Sequence, residues 1–161
     1  MAQVPEFVLG EVVRSLDDRF RVSIPAELLQ PLVASGKEAI LAKERPGCLS
    51  LWDAPDWQEK LQADIDLVRS KIRAGRLAGR VEEVQLLGRL LSTRHRQVQL
   101  AGRGRLLIPE GFREFLGVEA GGEVTIVGAA LCVEIWNPVH WLSYLEEQMP
   151  EFRQLLGRLS G

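Results

Sequence analysis

The residues best suited to chemistry in this sequence are arginines set in pairs. One pair stands in Leu16-Asp17-Asp18-Arg19-Phe20-Arg21-Val22-Ser23-Ile24-Pro25, the other in Leu100-Ala101-Gly102-Arg103-Gly104-Arg105-Leu106-Leu107-Ile108-Pro109. A guanidinium is planar, permanently charged and carries its donors in a fork. It therefore grips a carboxylate, a phosphate, or the O6 and N7 of guanine with two hydrogen bonds. Asp17 lies close enough to Arg21 to fix its rotamer, which makes orientation its expected role. Arg21 and Arg105 are the expected base-contacting residues. Arg19 and Arg103 are expected to face phosphates or neighbouring bases, joined by Arg14, Arg94 and Arg96. The alternative for Asp17 and Arg21 is a surface ion pair that steadies a turn. Such pairs are worth about 0–1 kcal/mol, which poorly explains two arginines in both stretches.

Positioning these residues falls to a repeated framework. The two stretches share Leu, Arg, Arg, Ile and Pro at one spacing, 84 positions apart (Arg105 against Arg21). The same offset carries Leu32 to Leu116, Cys48 to Cys132, Trp52 to Trp136 and Trp57 to Trp141. Such self-similarity points to a duplicated module, with a first repeat over 7–76 and a linker helix plus second repeat over 77–161. The Ala74–Gly79 stretch is the natural junction.

Each copy reads as hairpin, short helix, hairpin, long helix. Apolar alternation marks one strand through Phe7–Leu9 and Glu11–Leu16 and another at Arg21–Ile24, with a turn at Asp17-Asp18-Arg19 between them. Pro25 opens a short helix through Leu32 that Ser35-Gly36 closes. Strands follow at Ala39–Ala42 and Cys48–Trp52 around Arg45-Pro46-Gly47. Asp53-Ala54-Pro55 starts a helix with an apolar stripe of Trp57, Leu61, Ile65, Val68 and Ile72. Val81, Val84, Leu87 and Leu91 give a second helix, interrupted at Gly88. The second copy repeats the plan: strands at Gln97–Leu100 and Leu106–Ile108, a short helix from Pro109 to Gly117, and a hairpin at Glu123–Gly128 and Leu131–Trp136. Asn137-Pro138 caps a last helix carrying Trp141, Leu145, Phe152 and Leu156. Four short strands per copy are marginal for an independent core, so the two halves are expected to share one barrel-like core.

Composition narrows the function. The chain has 161 residues, enough for one domain or two small intimate ones, and a formal net charge of −2. A balance that near neutrality argues against a generic nucleic-acid binder, so the arginines form a patch on a neutral body. No apolar run is long enough for a membrane span. The Met1–Glu6 stretch lacks the features of a signal peptide, so the expected location is cytoplasmic. Cys48 and Cys132 sit in apolar runs and read as buried, reduced thiols rather than a disulfide or metal site. The four Trp read as core packing. His95 and His140 have no repeated partner, and no P-loop, dinucleotide fingerprint, HExxH or paired CxxC is present. We expect no catalytic residue, no metal, no cofactor and no small-molecule substrate.

The paired motif resembles the MraZ family of AbrB-type swapped-hairpin transcription factors, whose pattern is Leu-Asp-x-Lys-Gly-Arg-x-x-Ile-Pro in each of two tandem halves. Asp17, Arg21, Ile24 and Pro25 match the first half; Arg105, Ile108 and Pro109, followed by Phe112-Arg113, match the second. Gly10-Glu11, Val127-Gly128-Ala129 and Glu134-Ile135-Trp136-Asn137 are similar to further family signatures, and the likeness spans roughly residues 7 to 145. The chain departs from the pattern: Phe20 replaces Gly, Arg19 replaces Lys, Ala101 replaces Asp, and the second register reads Gly102-Arg103-Gly104-Arg105. The resemblance implies an α+β fold in which tandem modules form a swapped-hairpin β-barrel with flanking helices. It implies a sequence-specific, nucleoid-associated DNA-binding regulator of the cell division and cell wall gene cluster. Its partners would be promoter direct repeats in double-stranded DNA and further copies of itself in a ring, where many weak sites gain affinity through effective concentration. Asp17, Arg19, Arg21, Arg103, Arg105 and Arg14 are the expected DNA-binding residues. Two rival readings remain. One is an oligomeric protein-interaction scaffold with weakened DNA binding, favoured by Ala101. The other is a toxin-neutralising antitoxin, disfavoured by the duplication.

Overall fold

Strict alternation decides how each strand lies. In the strand Cys48–Asp53 (β4), Leu49 and Leu51 enter the main core, while Cys48, Ser50 and Trp52 point to the opposite face. The computed structural model describes residues 7–32 and 38–161. Both the Met1–Glu6 stretch and the expected helix stop at Ser35-Gly36 lie outside the described residues. The other strands are Glu11–Ser15 (β1), Arg21–Ser23 (β2), Glu38–Arg45 (β3), His95–Gln99 (β5), Arg105–Leu107 (β6), Glu123–Gly128 (β7) and Val133–Trp136 (β8). The chain is α+β, and every ladder is antiparallel. Six strands form one sheet in the order β1-β7-β8-β4-β3-β5, and β2 pairs with β6 as a separate ribbon.

The opening element of each half is not the hairpin expected from the sequence. β1 pairs with β7, β5 pairs with β3, and β2 pairs with β6, so the strands flanking each arginine turn find partners far along the chain. Two backbone bonds close the first turn, from Asp17 N to Arg21 O at 3.0 Å and from Phe20 N to Asp17 O at 3.1 Å. β1 continues its ladder through Leu16 N to Gly122 O at 2.8 Å rather than turning back on β2. Within each half, the local hairpins that do form are β3–β4 and β7–β8.

Advancing residues by 84 positions maps the ladders onto one another. At the centre of the β4–β8 ladder, Ser50 faces Glu134, its own counterpart. The β1–β7 ladder corresponds to the β3–β5 ladder: Val13 faces Thr125 in one, and Gln97 faces Ile40 in the other. Thr125 lies 85 positions from Ile40, and the β-bulge between Lys43 and Arg45 absorbs the extra step. Both halves feed one hydrophobic core, in which Leu16, Ile24, Leu41 and Leu49 meet Leu106, Ile108, Ile126 and Ile135, all at 2% exposure or less. Removing any one side chain such as Leu106 would cost about 2–5 kcal/mol.

Helices cover the other face of the sheet. Asp53 caps Ala54–Arg73 (α2) by accepting from Asp56 N, and Asn137 caps Pro138–Ser160 (α5) by accepting from Val139 N at 3.0 Å. Trp57 of α2 packs with Ile40, Ala42, Ala54, Trp52 and Leu61 in a second cluster. Trp141 and Tyr144 of α5 pack on Trp136. The short helices are Ala26–Leu29 (α1), which stops before Leu32, and Phe112–Leu116 (α4). Val81–Thr93 (α3) runs unbroken through Gly88, since a glycine inside a helix costs only about 1 kcal/mol against alanine and keeps its N–H. The stripe expected on α5 is covered only near its start: Phe152 and Leu156 are exposed. α3 has no buried residue.

Candidate nucleic-acid interface

The β2–β6 ribbon places the two motif arginines on one outward face. Val22 and Leu106 are ladder partners and both are buried, so Arg21, Ser23, Arg105 and Leu107 must point the other way. Arg21 faces Leu107 and Arg105 faces Ser23. The two arginines are thus diagonal neighbours, about 7–8 Å apart at Cα by ladder geometry. Ile24 N donates to Gly104 O and Ile108 N to Phe20 O, both at 3.0 Å, closing the ribbon at either end. Pro25 and Pro109 then stop it, because neither has an N–H to donate.

Asp17 organises the first turn. Its Oδ1 accepts from Arg19 N at 2.8 Å and Arg21 N at 2.9 Å, and its Oδ2 accepts from Arg21 Nε at 2.7 Å. These donors hold its carboxyl below the ordinary value, the backbone bond from Arg21 contributing most. Arg21 retains 39% side-chain exposure while held in this way. Arg19 is exposed. Phe20 takes a left-handed φ of 60°, and the Arg113 guanidinium lies over its ring at 4.4 Å. Arg113 Nε also donates to Ile108 O at 2.6 Å.

The second turn is built differently. Ala101 offers no carboxylate, and a single 3₁₀ turn spans Gly102–Gly104, with Arg103 at φ 65° and Gly104 at φ 69°. Arg103 and Arg105 are exposed, and neither makes an ion pair among the described residues. Arg14 is half-buried, donates to Val13 O at 3.2 Å, and lines a cleft with Arg103 above Ile24 and Leu29. Arg94 does not join this group. It donates to Lys43 O at 2.9 Å and approaches Glu44 at 3.8 Å, at the far end of β5 from the turn.

Arg113 and Phe20 escaped the sequence-based set as positioning residues. The available signal was their register: 84 positions away, their places are held by Leu29 and Gly104, so both members of one contact change together. Elsewhere the surroundings are inert. Cys48 and Cys132 are buried free thiols, and burial pushes both up, Cys132 to about 12. Trp57 and Trp136 are buried, as expected of packing residues. Among the described residues no group of three or more His, Cys, Asp or Glu could hold a metal ion, and no helix is long and apolar enough to cross a membrane.

The family model described as "MraZ protein, putative antitoxin-like" matches residues 92–158. A "Transcriptional regulator MraZ" of Thermus thermophilus is 31% identical over 140 residues, covering 86% of this chain and 87% of the relative. One of Acetivibrio thermocellus is 30% identical over 135 residues, 84% of either chain. One of Syntrophomonas wolfei is 26% identical over 151 residues, 94% of this chain and 95% of the relative. The chain belongs to the MraZ family.

Proposed function

We propose that this chain is a transcriptional regulator that binds double-stranded DNA sequence-specifically through the outward face of the β2–β6 ribbon. One observation carries the reading: Arg21 and Arg105 share that face as diagonal neighbours. B-DNA's major groove admits a two-stranded β-ribbon, and arginine is its commonest specific reader. Asp17 orients Arg21, while Arg14, Arg19 and Arg103 contact the backbone. The regulated promoters are those of the cell division and cell wall gene cluster, bound at direct repeats by a ring of copies in the cytoplasm, at the nucleoid. The two repeats, 7–76 and 77–161, form a swapped-hairpin barrel, a reading supported by their exchange of strand partners and by the ribbon lying beside β1 and β5.

The test is binding of Arg21→Ala and Arg105→Ala to a duplex carrying the promoter repeats. Each variant should weaken binding about 5- to 150-fold, the equivalent of the roughly 1–3 kcal/mol that a bidentate contact supplies. Affinity should also fall steeply with salt. Unchanged affinity in both variants rejects the proposal. Ala101, which leaves Arg105 without a carboxylate, favours the second reading of an interaction scaffold with weakened DNA binding. A gel shift that finds no binding to promoter fragments, with protein partners captured instead, would favour that alternative.

A further inference from the structure

The two arginine turns occupy equivalent places in the ladder, yet their surroundings carry opposite charge. Beside the second turn, the cleft holding Arg14 and Arg103 includes Ala26 and Gln30 of the α1 segment and no acid. Beside the first turn, the corresponding cleft is lined by Glu110, Glu114 and Glu119 together with Arg113. Glu110 and Glu114 stand 84 positions after Ala26 and Gln30, so acids replace neutral residues at equivalent sites. Arg113, held by the Phe20 ring and the Ile108 carbonyl, offsets only one of the three carboxylates. The turns differ in the same sense. Asp17 and Asp18 offset Arg19 and Arg21, whereas residues 101–105 carry Arg103 and Arg105 with no acid. Glu27 is the single acid of α1.

We infer that the two turns divide the work on DNA: the Arg14–Arg103 cleft seats a backbone phosphate, while the braced Arg21, with Arg105 beside it on the ribbon face, reads bases. This rests on the proposed DNA-binding function. A phosphate is stabilised between two guanidiniums and repelled from a cleft rimmed by three carboxylates. A braced guanidinium, by contrast, is held ready for one base geometry, at the cost of some charge available to phosphate. A module with near-twofold strand pairing would fit a palindrome equally well in either direction. The charge difference removes that choice, so each copy lies on its site with one polarity, the Arg14–Arg103 cleft over the phosphate backbone.

The experiment uses the full chain and a duplex carrying one site, obtained by selecting the tightest binders from a random-sequence pool. Glu27→Cys and Ala120→Cys place an exposed thiol beside the basic and the acidic cleft respectively, each to be coupled to an iron chelate that cleaves nearby DNA. Cleavage should fall on one flank for Glu27→Cys and on the opposite flank for Ala120→Cys. Equal cleavage on both flanks by each conjugate overturns the fixed polarity while leaving DNA binding intact. Failure to select any binding sequence overturns the proposed function itself. In parallel, Arg103→Ala should lower the slope of log K against log salt by about 0.9, the value of one phosphate, with base preference retained. Arg21→Ala should relax base preference. An unchanged salt slope in Arg103→Ala rejects the phosphate seat.

Discussion

Gly104→Ala tests whether the ribbon end is as tightly built as its contacts imply. Gly104 has φ +69°, and a Cβ added there would lie 2.6 Å from the Ile24 carbonyl oxygen and 2.5 Å from Leu29 Cδ1. The left-handed conformation costs an alanine about 1–2 kcal/mol. Leu29 Cδ1 is a side-chain tip that can swing, but the Ile24 carbonyl is backbone and sits beside the Ile24 N to Gly104 O bond. Moving it strains or breaks a hydrogen bond worth about 0.5–1.5 kcal/mol net, on top of about 1–3 kcal/mol for overpacking. The expected loss is therefore roughly 2.5–6.5 kcal/mol, a large share of the stability of a small domain. Gly102→Ala is the control, since nothing lies within 4 Å of its added Cβ; it should fall within about 0.5 kcal/mol of the parent. Urea unfolding at fixed protein concentration measures both. If Gly104→Ala unfolds at the same midpoint as Gly102→Ala, the packing argument at this turn is wrong.

Three further outcomes follow from the same geometry. At the equivalent position, Phe20→Ala should destabilise by about 1–3 kcal/mol through lost packing and the lost Arg113 stack, while Phe20→Gly should be about 1 kcal/mol milder, because glycine accepts φ 60°. Comparing the two unfolding midpoints checks this, and the usual order with alanine more stable would contradict it. Asp17 has its folded pKa depressed below 3.8, so its stabilising effect is present above that pH and lost as pH falls through the folded value. The Tm advantage of the parent over Asp17→Asn should therefore shrink on acidification. Glu134 behaves oppositely: burial raises its carboxyl above 4.5, opposed by a bond from Trp136 and reinforced by Glu44. Ionisation then costs stability as pH rises past 4.5, so Glu134→Gln should raise Tm at neutral pH and give no gain well below 4.5.

Local chemistry was legible in the chain because it depends on neighbours in sequence. Asp53 and Asn137 cap their helices, Pro25 and Pro109 end the ribbon strands, and Gly117 stops α4 in a left-handed conformation, all from residues within a few positions of one another. The approach of Asp17 to Arg21 was likewise readable from four-residue spacing. Strand partnership was not. Alternation says which face of β1 or β2 is apolar, but nothing in a five-residue strand says that β1 joins β7 rather than its neighbour across the turn. That α3 buries no residue and that α5 is exposed past Leu145 also escaped the periodic pattern, because an apolar stripe records a preference for cover and not whether this chain supplies it.

The sequence by itself determined where strands, caps and turns fall, and that two arginine pairs recur at one offset, since these are set by propensity, side-chain reach and period. Only the tertiary structure decided that Arg21 and Arg105 share one ribbon face and that their flanking clefts differ in charge. Those facts arise from hydrogen bonds between segments more than eighty residues apart, and from which side chains the shared core leaves on the outside.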